Sequence, residues 1–335
     1  MTKQLRTDTI RLQKYARAYT QSATFYAAID LELFTHIAEG ADTIEKLSHV
    51  MDITALNAER LVYACTTMGL VILEDGRLQN APDAAKFLVK GEESYAAAWM
   101  TFTRPDASEW LKLTEHLREK SPPKTLGIYA DLTVDDARAY HKATYSVGMG
   151  AGKRFARLVD LSGRKKLLDL GGGSGAYSIQ AVRAFPKLTA VVFDLPPVVE
   201  VTKEYLAECG VEDRVSTCGG DFTSDDFPKD IDAIVMASNL PIYDEKVIGL
   251  VIKRAHDALV SGGEMHLVGE MLNDDRKGPM DAAMWGLGEA INHGGGKAHT
   301  IGQCIGYFKA AGFTNVTDID FIPGTLHRVS GTKAA

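Results

Sequence analysis

The sequence predicts an α/β fold: a Rossmann-like, doubly wound, mostly parallel sheet behind a helical N-terminal region with the pattern of a winged helix. Three observations carry this. After about residue 160, short apolar strands alternate with amphipathic helices, whereas the earlier patterns are helical with few strands. The strand Leu167-Leu168-Asp169-Leu170 runs into Gly171-Gly172-Gly173-Ser174-Gly175, with a helix expected from about Ala176. Three short helical segments and one hairpin fall between residues 22 and 90. The expected divisions are a winged-helix-like dimerisation domain over 1–95, a helical connection lining a pocket over 96–160, and the sheet domain over 161–335.

In the N-terminal region, FYAAIDLELFTHIAEG carries apolar residues at helical spacing and stops at Gly40. IEKLSHVMDI and AERLVYACTTMGL are two further helices. VILEDGRLQN is a hairpin with Asp75-Gly76 at its turn. Such a pattern suggests DNA binding, but its charge argues otherwise. Residues 22–90 hold five Lys/Arg against ten Asp/Glu, and AERLVYACTTMGL offers only Arg60. A helix that reads a groove needs cations for the phosphates. Packing or dimerisation is the expected role.

The stretch from Tyr95 to Lys153 reads as helices around the loop SPPKTLGIYA. The strands KKLLDL, TAVVFDL, RVSTCGGDF, IDAIVMAS and EMHLVGEML follow, and NVTDIDFI with HRVSGTK are expected to close the sheet as an edge hairpin.

A chain of 335 residues with 45% hydrophobic and 24% charged residues buries a core without staples. Its net charge of -7 disfavours nucleic acid and anionic membrane as partners. Cys65, Cys209, Cys218 and Cys304 form no C-x-x-C pair, so neither a metal site nor a disulfide framework is expected. The N-terminal residues hold no apolar signal region, and no run reaches the roughly 18 apolar residues of a membrane span. A reduced, cytoplasmic protein is expected.

The glycines let the backbone turn tightly and approach a ligand beyond the strand ends. Asp194 ends the next strand, 19 residues after Gly175, where a carboxylate can accept both ribose hydroxyls. Gly219-Gly220-Asp221-Phe222 ends the third, placing an acceptor for an adenine amine beside a ring that can pack on the base. Asp194 as a helix cap and Asp221 as a turn residue are the structural alternatives. Because DLGGGSG lacks the spacing of a dinucleotide loop, the set favours S-adenosylmethionine over NAD.

LLDLGGGSG, FDLPPVV, GGDF, IDAIVMAS and GGKAHTIGQCIGYFKAAGF together resemble the class I O-methyltransferases of the caffeate and acetylserotonin type, over nearly the whole chain. The resemblance implies an S-adenosylmethionine-dependent methyltransferase acting on a small molecule as an intertwined homodimer. It implies cofactor contacts from Gly171, Gly173, Gly175, Asp194, Leu195, Asp221, Phe222 and Ser238.

The chain departs from that family where the acceptor's base belongs. Pro241 stands at the position of the family's His, and Ala237 at that of a Lys. Glu270 matches a carboxylate that flanks the His. A thioether has no proton to lose, so a missing base points to in-line S-methylation. The segment AAMWGLGEAINHGGGKAHT is similar to the DsyB-type methylthiohydroxybutyrate S-methyltransferases. That similarity implies a small anionic thioether, 4-methylthio-2-hydroxybutyrate, as acceptor. Arg104, His141 and Tyr145 are candidates for its carboxylate; Trp110 and Trp285, with Tyr129 and Tyr140, for its sulfonium product. The alternatives are O- or C-methylation of an aromatic, polyketide or tetrapyrrole acceptor, with a base from elsewhere (His141, His256, His266, His293, His299 or His327), and a cofactor-binding protein that transfers no methyl.

Overall fold

The computed structural model describes residues 7–123, 129 and 131–335. Most of the expected loop SPPKTLGIYA therefore lies outside the described residues. The chain divides into two compact units at Thr101/Phe102, so residues 102–160 belong with the sheet.

The first unit holds α1 (Ile10–Asp30), α2 (Leu33–Ala38), α3 (Ile44–Val50), α4 (Ala55–Thr67), the hairpin β1 (Val71–Glu74) and β2 (Arg77–Asn80), α5 (Pro82–Phe87) and α6 (Ala97–Met100). FYAAIDLELFTHIAEG is not one helix. It breaks at Leu31-Glu32, where Glu32 adopts φ 52°. The break turns Leu33, Phe34 and Ile37 into one core with Leu47, Val62 and Leu78. α3 and α4 start on Thr43 and Thr54, whose hydroxyls accept the N–H groups of Lys46 and Asn57. Asp75 and Gly76 both have positive φ, as a two-residue hairpin turn requires.

The second unit runs through α7 (Ala107–Trp110), α8 (Leu113–Arg118), α9 (Val134–Leu158), β3 (Lys166–Leu170), α10 (Ala176–Ala184), β4 (Thr189–Asp194), α11 (Pro196–Cys209), β5 (Val215–Gly219), β6 (Ile231–Ala237), α12 (Glu245–Ala258), β7 (Leu259–Gly269), β8 (Met271–Leu272), α13 (Met280–Gly288), β9 (His299–Thr300), α14 (Ile301–Ala311), β10 (Thr314–Ile322) and β11 (Leu326–Thr332). Seven strands form one sheet in the order β10-β11-β7-β6-β3-β4-β5. β3 to β7 are parallel; β11 and β10 are antiparallel and close the edge as expected.

Strand periodicity sorts the core. Leu168, Leu170, Val191, Phe193, Ile234 and Met236 pack on one face with α12 and α14. Leu167, Ala190, Val192, Ala233 and Val235 pack on the other with Phe155 of α9 and Val182 of α10. EMHLVGEML is not one strand: β7 ends at Gly269, and β8 leaves the sheet to pair with β9. Glu270 occupies that break. Because β3 pairs with β4 on one side and β6 on the other, strand order reverses at β3/β6, where open α/β sheets place their ligands.

Candidate functional site

The loop after β3 is shaped by its neighbours. Gly171 has φ +64°, and a Cβ there would lie 2.6 Å from Asn239 Nδ2. Gly173 has φ +56°, and its Cβ would lie 2.5 Å from Cε1 of His141. Both positions therefore demand glycine twice, by backbone conformation and by space. Asn239 Nδ2 donates to the carbonyls of Ala237 (3.0 Å), Gly171 (3.3 Å) and Leu170 (3.4 Å), tying the end of β6 to the loop. Thr202 of α11 donates its hydroxyl to the Gly173 carbonyl at 2.6 Å. Beneath the loop, the buried Asp169 accepts from Ser178 Oγ (2.8 Å) and N (3.2 Å), and burial raises its carboxyl to about 7.

Asp194 accepts the Gly173 N–H at 2.8 Å and the Leu195 N–H at 2.7 Å. It is not the cap of α11, a position that Leu195 takes. Burial raises its carboxyl to about 6 against those two donors. Asp221 Oδ1 accepts from the N–H (2.8 Å) and hydroxyl (2.7 Å) of Thr223, so it serves as a turn residue. The buried Phe222 meets the edge of Tyr243 at 5.4 Å. Ser238 is exposed at φ +60°. The loop fits a nucleoside-bearing ligand. Its two bare α-carbons keep the backbone thin, and the Asp194 carboxylate keeps lone pairs beyond its two bonds.

Beside this loop lies a cluster of phenols and carboxyls. Tyr140 sits edge-on to Phe102 (5.1 Å), Tyr129 (6.4 Å) and His141 (5.1 Å). Burial is the main cause that raises the phenols of Tyr129, Tyr140 and Tyr243; Tyr140 and then Glu289 add to it at Tyr129, Glu270 and Asp194 at Tyr140, and Asp221, Asp194 and then Glu289 at Tyr243. Burial also raises the carboxyls of Glu270 and Glu289. The charged and phenolic neighbours that raise these groups are carboxyls and phenols. Pro241 is buried in a 3-10 turn, Leu240–Ile242. Its carbonyl lies where a Cβ on Gly296 would come within 2.0 Å, so the loop after α13 is pressed against the turn.

Not every expected substrate residue joins the cluster. Tyr145 does not: its hydroxyl pairs with Cys209 Sγ at 3.1 Å and its ring stacks on Tyr205 at 4.4 Å, between α9 and α11. One turn earlier on α9, His141 does reach the glycine loop, and burial depresses it to about 4, so it is neutral at pH 7. Arg104 is exposed in a short 3-10 turn. Trp110 approaches Gly288, and Trp285 is 39% exposed on α13. Among the other histidines, His299 is a tether, joining the Tyr243 carbonyl (2.8 Å) and the Tyr307 hydroxyl (3.0 Å). His256 packs on Phe313, His266 on Phe155 and His293 on His116, and His327 pairs with Asp318. Sequence reasoning missed Asn239, Thr202, Tyr243 and Glu289. A polar residue two positions after a buried strand was the available signal for Asn239.

The family model described as "O-methyltransferase domain" matches residues 110–314. A 3-hydroxy-5-methyl-1-naphthoate 3-O-methyltransferase from Streptomyces sahachiroi is 30% identical, covering 96% of this chain and 95% of that protein. An L-tyrosine C(3)-methyltransferase from Streptomyces lavendulae is 29% identical over 80% of this chain and 77% of its own. The solved structure of human N-acetylserotonin methyltransferase in complex with SAM shares the fold at TM-score 0.81 and 21% identity, covering 100% of both chains.

Proposed function

This chain belongs to the O-methyltransferase family and is an S-adenosyl-L-methionine-dependent methyltransferase; on that premise we propose that it methylates a hydroxyl on an aromatic, ring-fused acceptor. The observation that carries this reading is the cluster of Phe102, Tyr129 and Tyr140 rings beside the glycine loop. Ring edges and faces suit a planar apolar acceptor. The expected thioether acid is the weaker reading. Its carboxylate would meet Glu270, Glu289 and phenols, and Tyr145, one of its intended anchors, is engaged with Cys209. The named relatives support the aromatic reading too, since they act at oxygen or carbon.

When bound, S-adenosyl-L-methionine supplies an electrophilic methyl on a sulfonium. In this reading the backbone at Gly171, Gly173 and Gly175 holds it, with Asp194 accepting the ribose hydroxyls. Phe222 packs on the base, and Leu195, Asp221 and Ser238 flank it. Tyr129 and Tyr140 orient the acceptor's ring, and orientation at near-attack distance is a large part of the catalysis.

We also propose a homodimer. Ile10, Leu12, Tyr15 and Tyr19 of α1 are each more than half exposed along its first three turns, an apolar surface for a second copy to cover.

The reading is tested by incubating the protein and methyl-labelled cofactor with 2-naphthol, with 3-hydroxy-2-naphthoate and with 4-methylthio-2-hydroxybutyrate. Label in a naphthyl methyl ether is expected. Label only in the dimethylsulfonio product would reject the aromatic reading and restore the thioether one.

A further inference from the structure

Pro241 removes the imidazole expected to take the acceptor's proton, yet a phenol must lose a proton as its oxygen is methylated. The loop pressed against the Pro241 turn carries a carboxylate. Glu289 caps the C-terminus of α13 and is 7% exposed. Its backbone carbonyl accepts the Gly294 N–H at 3.1 Å, closing a turn that brings the glycine run back over the side chain. Oε1 accepts from Asn292 Nδ2 at 3.2 Å, its one side-chain donor among the described residues. Oε2 lies against the bare α-carbon of Gly294, where a Cβ would stand 2.2 Å away. Gly296, two residues on, abuts the Pro241 carbonyl.

We propose that Glu289 is the proton acceptor for the acceptor's hydroxyl, a catalytic carboxylate that does the work of the histidine replaced by Pro241. This rests on the aromatic reading above. The Glu289 charge acts on the phenols of Tyr129 and Tyr243, and the Tyr243 ring meets Phe222 edge-on. Asn292 donates to Oε1, and Oε2, against the α-carbon of Gly294, accepts from no side chain among the described residues. In the step, the acceptor's O–H bond breaks and its proton passes to Glu289. The oxygen's electron pair forms the bond to the methyl, the methyl–sulfur bond breaks, and the donor leaves as a neutral thioether. Of the titratable groups on neighbouring elements, the phenols of Tyr129 and Tyr243 feel the Glu289 charge; His293, in the same loop, packs on His116 of α8, which pairs with Glu109, and Asp281 of α13 acts on Glu270. Burial raises the Glu289 carboxyl, which strengthens it as a base.

The test compares wild type, Glu289→Gln and Glu289→Asp. The first readout is binding of 2-naphthol and of 2-methoxynaphthalene to the complex with demethylated cofactor, by fluorescence titration. Losing a charge-assisted bond to the hydroxyl lowers the naphthol-to-ether affinity ratio about tenfold in Glu289→Gln, while the ether's own affinity reports an intact pocket. The second is the pH profile of kcat/KM for 2-naphthol. Wild type loses activity as the pH falls through the Glu289 range. Glu289→Gln loses that limb and about 10²–10⁴-fold in rate, and Glu289→Asp keeps the limb at a reduced rate. If wild type binds and methylates naphthol but the Gln variant keeps both ratio and limb, the proposal is overturned and the aromatic reading stands. A limb that vanishes in Glu270→Gln and persists in Glu289→Gln overturns it equally. If wild type binds neither naphthalene, the aromatic reading falls and takes the proposal with it.

Discussion

The backbone N–H of Gly173 points at Oδ2 of Asp194 and bonds it at 2.8 Å, joining the loop after β3 to the end of β4. One carboxylate thus fixes the loop and still presents lone pairs to a ligand. Asp194→Ala leaves two N–H groups without their acceptor, at about 1–3 kcal/mol each where they stay dry. We expect binding of demethylated cofactor, measured by calorimetry, to weaken by more than about tenfold, and Asp194→Asn to weaken it less. Equal affinities in all three proteins would refute the assignment.

Gly173 and His141 form a steric pair. Gly173→Ala places a Cβ 2.5 Å from the imidazole and forces φ +56° on a residue with a side chain. The single variant should melt lower and bind cofactor poorly. Adding His141→Ala should return the steric part, while about 1–2 kcal/mol of backbone cost stays. A double variant no better than Gly173→Ala would show that the contact is unimportant.

Asn239 has three carbonyls within reach of one amide nitrogen. Asn239→Ala should cost about 1 kcal/mol of stability and loosen cofactor binding, because the loop at Gly171 loses its tie to β6. Denaturant melts with and without demethylated cofactor separate the two effects. An unchanged ligand-induced shift in midpoint argues against the tie.

His141 makes stability depend on pH. An unfolded histidine takes a proton near pH 6.5, whereas burial holds His141 neutral down to about 4. The unfolded chain therefore binds the proton first. The stability His141 leaves intact above pH 6.5 is lost as the pH falls from there toward 4, by up to about 3 kcal/mol. His141→Gln should flatten that part of the stability–pH curve. A parallel curve would mean that other groups set it.

If α1 is a dimer contact, light scattering should give twice the chain mass, and Leu12→Glu with Tyr15→Glu should halve it. A monomeric wild type would defeat this proposal.

Much was legible in the sequence because it is written locally. Short apolar runs alternating with helical segments placed β3 to β7, and the triple glycine marked the ligand loop, since only short-range sterics and burial decide them. The breaks at Glu32 and Glu270 were not legible: each lies inside an unbroken helical or strand pattern and is imposed by packing elsewhere.

The chain by itself determined the sheet, the edge hairpin, the glycine loop with Asp194, and a proline at position 241 after β6. Tertiary structure alone decided that His141 meets Gly173 while Tyr145, four residues on, faces Cys209, and that the loop after Glu289 returns, at Gly296, to the Pro241 turn. Spacing along a chain sets which face of an element a side chain takes. Which distant group waits there depends on how the elements pack.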